Sequence, residues 1–375
     1  MAFQRFEMER WQSTWENRVR YNLSESGVHP LSAAELLALA GASADAILQR
    51  PLGYPQSNGT EALRAAVAAL YPGAGPGHVL VTCGSAEANF VNCWTLIAPG
   101  TKVAVVMPTY MQTWGLARNF GADIRPILLR ESLGWQPDPA DIDAAIAPGT
   151  ALVIVTNPNN PTGAVLGAEA VDRIVARAES CGAWILSDEV YQGAERTGPA
   201  TPSFWGRASR VIVTNGLSKA YGLPGLRIGW CVADPAHVAE LWARKDYTTI
   251  GPAVMSDALA TLALQPVVRP RILERTRGII RANWALLERW MTALGDELAW
   301  RAPDAGAICY TRYRRPENSS ALAERLRQRH NVLIVPGDQF AMDRYLRFGF
   351  GPPLPELTEA LERVALALGP RSAAV

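Results

Sequence analysis

The chain has 375 residues, 49% of them hydrophobic and 19% charged, enough to bury a sizeable core and long enough for two domains. Its 36 basic and 35 acidic residues leave a formal charge of +1, which gives no electrostatic reason to expect nucleic acid or an anionic membrane as a partner. The 5 cysteines, Cys83, Cys93, Cys181, Cys231 and Cys309, form no CxxC pair and read as reduced core residues of a cytoplasmic protein, while His29, His78, His237 and His330 lack metal-ligand spacing, so no metal is expected.

At the amino terminus, Met1 to Trp11 carries charges throughout and no apolar h-region, so it does not read as a secretory signal. No stretch approaches the roughly 20 apolar residues of a membrane span. The segment Tyr21 to Pro30, which contains Ser24-Glu25-Ser26-Gly27-Val28-His29, ends in a turn. From about Pro51 to Leu264 strand-like and helix-like runs alternate in βαβ fashion, which argues for a mainly parallel sheet covered by helices. Within it, Gly84-Ser85-Ala86 precedes the helix-like stretch Glu87 to Trp94, so its backbone N–H groups can point at an anion from a helix N-terminus.

The β-branched run Val153 to Thr156 is closed by Asn157-Pro158-Asn159-Asn160-Pro161-Thr162-Gly163 and reads as a buried strand ending in a turn. The next run, Ala183 to Ser187, delivers Asp188-Glu189-Val190-Tyr191, and Val211 to Asn215 delivers Lys219. Polar residues thus stand at the carboxyl ends of successive strands, where open α/β sheets bind ligands. Lys219 lies among small residues in Ser218-Lys219-Ala220-Tyr221-Gly222-Leu223-Pro224-Gly225-Leu226-Arg227, with the arginine 8 positions on. That is the layout expected of an amine that forms a Schiff base beside a phosphate, and it points to pyridoxal phosphate. Gln265 to Pro270 breaks the pattern before a long amphipathic helix, Arg271 to Leu294. Short strands follow around Ala307 to Tyr313, Val332 to Val335 and Tyr345 to Phe350, a smaller α+β unit. The expected division is therefore 1–50, 51–265 and 266–375.

These ordered motifs, from Gly53-Tyr54-Pro55 to Arg347, resemble the fold type I pyridoxal-phosphate enzymes of aminotransferase class I/II. The resemblance implies an α/β fold: a mainly parallel sheet of the seven-stranded type in a large cofactor-binding domain, and a smaller α+β domain. Residues 1–50 would pack with the smaller domain and over the active site. Pyridoxal 5'-phosphate is the cofactor so implied, held by Lys219 as a Schiff base; the freed amine then moves the α-proton. Asp188 takes the place of the carboxylate that keeps the pyridine nitrogen protonated, so that the ring accepts electrons. Asn160 and Tyr191 match the donors to the ring's phenolic oxygen. Gly84, Ser85, Ala86, Ser218 and Arg227 match the phosphate contacts, the arginine by its planar fork, and Tyr110 the ring stacked on the cofactor.

Two assignments concern partners. Tyr54 matches a tyrosine that reaches the phosphate of the neighbouring subunit, which implies a homodimer. Arg347 resembles the arginine that receives the substrate carboxylate, its alternative being a structural ion pair. One departure is Gly216, 3 positions before the lysine, where the family commonly has a serine or threonine; one phosphate contact must then come from backbone or water.

The Ser-Gly-Val-His string and the Lys219 and Gly229-Trp230-Cys231-Val232 motifs are further similar to capreomycidine synthase-like enzymes, which use this cofactor to eliminate water from a hydroxylated arginine and close a cyclic guanidine. Two reactions follow. The first expectation is transamination, passing the amino group of an amino acid to a 2-oxo acid. The alternative is dehydration and cyclisation of a hydroxyarginine in natural-product biosynthesis, with Glu9 or Glu25 as an extra acid or base or as the binder of a cationic side chain, and Gly27 near the substrate.

Overall fold

The computed structural model describes residues 3–368, so residues 1–2 and 369–375 of the expected outer segments lie outside it. Aliphatic and β-branched runs in the middle of the chain form strands buried on both faces. In chain order the strands are β1 (Tyr21–Asn22), β2 (Val79–Thr82), β3 (Lys102–Met107), β4 (Asp123–Arg130), β5 (Gln136–Pro137), β6 (Thr150–Thr156) and β7 (Trp184–Asp188). They continue with β8 (Val211–Gly216), β9 (Gly229–Val232), β10 (Leu298–Trp300), β11 (Ile308–Tyr313), β12 (Val332–Leu333), β13 (Val335–Pro336) and β14 (Tyr345–Gly349).

The large sheet has the order β2-β9-β8-β7-β6-β3-β4-β5. Its centre is parallel, while β9 runs antiparallel to both β8 and β2. Seven strands make up the expected sheet, and the two-residue β5 folds back antiparallel on β4 as an added edge. Leu152, Val153, Ile154, Val155, Ile185, Leu186, Ile212 and Val213 are all buried, as strands covered by helices on both faces require. One cover, the helix Ala168–Cys181, buries Val171, Ile174 and Ala178 on a single face and stops at Gly182, whose φ of 63° makes a left-handed cap.

Register decides what meets at the carboxyl edge. Thr156 is paired with Asp188 and Asp188 with Thr214, so the turns after β6, β7 and β8 open side by side.

The connecting helix runs from Arg269 to Ala293 and starts earlier than the expected Arg271. Pro270 does not break it, because the first turn of a helix has no use for that N–H. Beyond it, β10-β11-β14-β13 make an antiparallel sheet. The amino-terminal segment joins this part of the molecule: β1 pairs in parallel with β12, and the Trp11 indole N–H, on the helix Glu7–Trp15, donates to the Ile334 carbonyl at 2.9 Å. Among the described residues no helix is long and apolar enough to cross a membrane.

Candidate active site

A cavity of about 470 Å³ lies at the carboxyl ends of β6, β7 and β8, roofed by the helix Glu7–Trp15. Most residues singled out in the sequence converge on its lining: Ser85, Ala86, Ser218 and Arg227 with Tyr110 and Asp188, and Asn160, Tyr191, Lys219 and Arg347 with Glu9 and Glu25. Gly84 and Gly27 stand behind these. Tyr54 does not approach the cavity of its own chain; it is 93% exposed.

One end of the cavity is shaped for an anion. The helix Gly84–Leu96 starts there, with Gly84 at φ 77°, and a Cβ at that position would come within 2.3 Å of an Arg227 guanidinium nitrogen. Only glycine lets the arginine lie over the helix start. Arg227 is itself left-handed at φ 52°; its Nη1 donates to the Pro224 carbonyl at 2.9 Å and lies 3.5 Å from the Ser218 hydroxyl. Gly216 has a packing reason: a Cβ there would sit 3.0 Å from the Ile228 carbonyl oxygen and 3.2 Å from the Gly229 Cα. The hydroxyl common at this position is exchanged for close contact between two backbones.

At the other end, Asp188 is buried, and burial raises its carboxyl to about 6 despite hydrogen bonds that act in the opposite sense. The Asn89 amide donates to its Oδ2 at 2.8 Å and the Val190 N–H to its Oδ1 at 3.3 Å; Asn89 is in turn fixed by the Thr214 hydroxyl at 2.8 Å. Sequence reasoning missed Asn89. Its signal was an amide on the buried face of the helix that follows Gly84-Ser85-Ala86.

The loop after β6 is built by its own asparagines. Asn157 accepts from the Leu166 N–H at 2.9 Å, and Asn159 accepts from the Thr162 hydroxyl at 2.7 Å while donating to the Pro108 carbonyl at 3.0 Å. Asn160 is thereby aimed inward, where its Oδ1 accepts from Arg347 Nη1 at 2.9 Å. Arg347 is 1% exposed and also donates to the Ser24 carbonyl, but its Nε has no partner. Among the described residues no carboxylate pairs with Arg347, so the structural ion pair is absent and a buried guanidinium faces the cavity with spare donor capacity. The Tyr191 hydroxyl donates to Ser26 Oγ at 2.9 Å.

Lys219 donates to Glu25 Oε1 at 2.7 Å. Burial favours the neutral form of Glu25, but the ammonium and the N–H groups of Ser26 and Gly27, at 2.8 and 3.1 Å, outweigh it and hold the carboxyl at about 2. Gly27 therefore acts through its backbone. For Lys219, burial lowers the pKa while Glu25 raises it, and the balance is upward, so the pair is ionic. From the roofing helix, Glu9 accepts from the Tyr110 hydroxyl at 3.3 Å, and Gln12 and Glu16, both overlooked in the sequence, also face the cavity. Burial and then the charges of Glu25 and Glu9 raise the pKa of Glu16. The helical spacing of Glu9, Gln12 and Glu16 was the available signal.

An anion cradle, a buried carboxylate, an amine between them and the Tyr110 ring suit pyridoxal phosphate. The donor set fits the cofactor at both of its charged ends.

Fold and site define a pyridoxal-phosphate-dependent enzyme of fold type I, and the chain belongs to aminotransferase class I and II, whose family model matches residues 30–364. It is 34% identical to capreomycidine synthase of Streptomyces vinaceus over 372 residues, 96% of this chain and 93% of that protein. The crystal structure of a PLP-dependent aminotransferase from Streptococcus suis is similar at a TM-score of 0.92 and 33% identity, covering 98% of each chain. A PLP-dependent cyclase, OrfR, is similar at a TM-score of 0.89 and 28% identity, covering 96% of each chain.

Proposed function

We propose that this enzyme removes water from a hydroxylated arginine and closes a cyclic guanidine. The observation that carries this reading is the acidic wall: Glu9, Glu16 and Glu25 share the cavity with Lys219, and like charges gathered there are relieved by a cationic side chain. The similarity to capreomycidine synthase and to a PLP-dependent cyclase supports it.

Bound pyridoxal phosphate supplies the electron sink that makes the proton at Cα removable. Ser85, Ala86, Ser218 and Arg227 would hold its phosphate, Asp188 its ring nitrogen, Asn160 and Tyr191 its phenolic oxygen, and Tyr110 would supply an aromatic surface for its ring. Arg347 receives the substrate carboxylate, using donor capacity the protein leaves unspent. Glu9 and Glu16 receive the guanidinium. Lys219, which would hold the cofactor and so meet the substrate as a neutral amine, takes the α-proton and returns it to Cα after closure. The Lys219–Glu25 pair gives a proton to the leaving hydroxyl, and the guanidine nitrogen that bonds to the vacated carbon gives one back. Water is the only by-product, and no oxo acid is consumed.

Transamination is the second reading. Lys219, Asp188, Asn160, Tyr191 and Arg347 already form a complement that can move a proton at Cα, and passing an amino group to a 2-oxo acid asks no more of the side chains.

The same proposal includes a homodimer. Tyr54, Leu52, Leu48 and Tyr247 are 93%, 83%, 72% and 85% exposed, an apolar surface that a second copy would cover while bringing Tyr54 to its phosphate site. Residues 51–265 form the cofactor-binding domain in this reading and 266–375 the connecting helix and smaller domain, with 1–50 packed against the latter and over the active site. The free cysteines suit a cytoplasmic location.

The test is to mix purified enzyme with hydroxyarginines and a panel of common amino acids, each with and without 2-oxoglutarate, following cofactor absorbance and product mass. Loss of water from a hydroxyarginine without an oxo acid is the expected result. Glutamate formed from an amino acid, with no dehydration, would establish transamination instead.

A further inference from the structure

We infer that Glu87 and Lys245 are positioning residues that fasten the anion-binding helix start to the surface a second copy covers, so that cofactor affinity and dimerisation are coupled. The inference rests on the homodimer proposed above.

Neither residue lines the cavity, yet both are charged and withdrawn from water, at 9% and 0% exposure. Glu87 lies in the first turn of the helix Gly84–Leu96 and reaches back to accept from the Cys83 N–H at 2.5 Å. Its oxygens also accept from the Thr249 N–H at 3.2 Å, from the Thr249 hydroxyl at 2.8 and 3.0 Å, and from the Thr248 hydroxyl. A carboxylate beside an anion site is repulsive unless its own charge is taken up, and here the two threonines and the N–H of Cys83 take it up. Ser85 and Ala86 remain free to face the cavity.

Lys245, the last residue of the helix Pro235–Lys245, donates to the Ser57 carbonyl at 3.1 Å and the Ile250 carbonyl at 2.6 Å. A buried ammonium is tolerated only when hydrogen-bonded, so these carbonyls are held together by a group that would otherwise be strongly unfavourable there. Ser57 follows Tyr54 closely in sequence, and Ile250 and Tyr247 are 51% and 85% exposed. Both tethers meet in the loop 245–250. One ends at the anion cradle, the other at the segment that bears Tyr54.

The test compares wild type with Glu87→Gln and Lys245→Met by pyridoxal-phosphate titration, sedimentation over a concentration series, and thermal denaturation of the apoprotein. Each variant is expected to bind the cofactor about tenfold more weakly and to dissociate to monomers at about tenfold lower dilution than wild type, the scale of one lost charged hydrogen bond. Variants with a lowered Tm but cofactor and dimer affinities within about twofold of wild type would reduce these residues to structural roles and overturn the inference. If Lys245→Met does not fold, Glu87→Gln, which keeps shape and loses only charge, decides alone. A wild-type protein that is monomeric at every concentration would instead overturn the dimer itself, and this coupling with it.

Discussion

Lys219 and Glu25 come from sequence positions far apart and meet at 2.7 Å; burial is the largest single influence on each, but the partner's charge and the hydrogen bonds together outweigh it. The carboxyl is depressed from 4.5 to about 2 in the folded state. The unfolded chain therefore binds more protons between those values, and the pair stabilises the fold fully above pH 4.5 and loses that contribution as pH falls through about 2. For Glu25→Gln we expect a lower Tm than wild type at neutral pH and a gap that closes on acidification across this window, read by thermal melts of both proteins. A gap independent of pH would contradict the ionic pair. Asn89 acts on Asp188 in a similar way. Asn89→Ala removes the 2.8 Å bond that opposes burial, so Asp188 should hold its proton more tightly and the cofactor should bind about tenfold more weakly, the scale of one hydrogen bond to a charged group. Titration of apoenzyme with pyridoxal phosphate checks this.

At the scale of elements, the helix Glu7–Trp15 brings carboxylates to a cavity whose other polar walls come from the loops after β6, β7 and β8, the helix Gly84–Leu96 and the segment around Glu25. Glu16 is the cleanest probe, because it faces the cavity without bonding to any described residue through its side chain. We expect Glu16→Gln to raise KM for a guanidino substrate about tenfold with kcat little changed, as loss of a ground-state contact does. Steady-state kinetics with a guanidino and a neutral substrate would separate this from a general loss of order. The segment that carries Glu25 is seated against the end of β14 at glycines. A Cβ on Gly349 would lie 2.0 Å from the Glu25 carbonyl oxygen, and one on Gly351 1.9 Å from that of Gly27. Gly349→Ala should therefore push Glu25 away from Lys219 and lower kcat at least about tenfold. Cofactor affinity should hold, since the phosphate cradle lies elsewhere; a variant that loses both would point to wider unfolding.

For the whole molecule, the proposed dimer gives Tyr54 its role in the site of the other chain. Mixing a Tyr54→Ala protein with a Lys219→Ala protein should yield heterodimers in which one site has the lysine of one chain and the tyrosine of the other. With random exchange of subunits, half of the dimers are mixed and each has one intact site, so activity should return to about a quarter of wild type from two nearly inactive parents. No recovery after verified exchange would mean that Tyr54 serves its own chain or neither.

Much of this was legible from residue types alone. The apolar runs of β6, β7 and β8, each followed by polar residues, were sufficient for a parallel sheet with a site at its carboxyl edge, because covered strands have no polar face to confuse the pattern. The layout around Lys219 pointed to the cofactor, and the roles of Asp188 and Arg227 came with the resemblance of their motifs to the family. Three things depended on tertiary structure. Asn89 acquires its purpose only when the register of β7 and β8 brings Asp188 and Thr214 to it. The acidic wall exists only because the amino-terminal helix folds back over β6 to β8, a contact between distant parts of the chain that no local periodicity encodes. The pairing of Lys219 with Glu25 depends on how the segment of Glu25 is seated against the end of β14, since a charge is read from the sequence but its partner is fixed by packing.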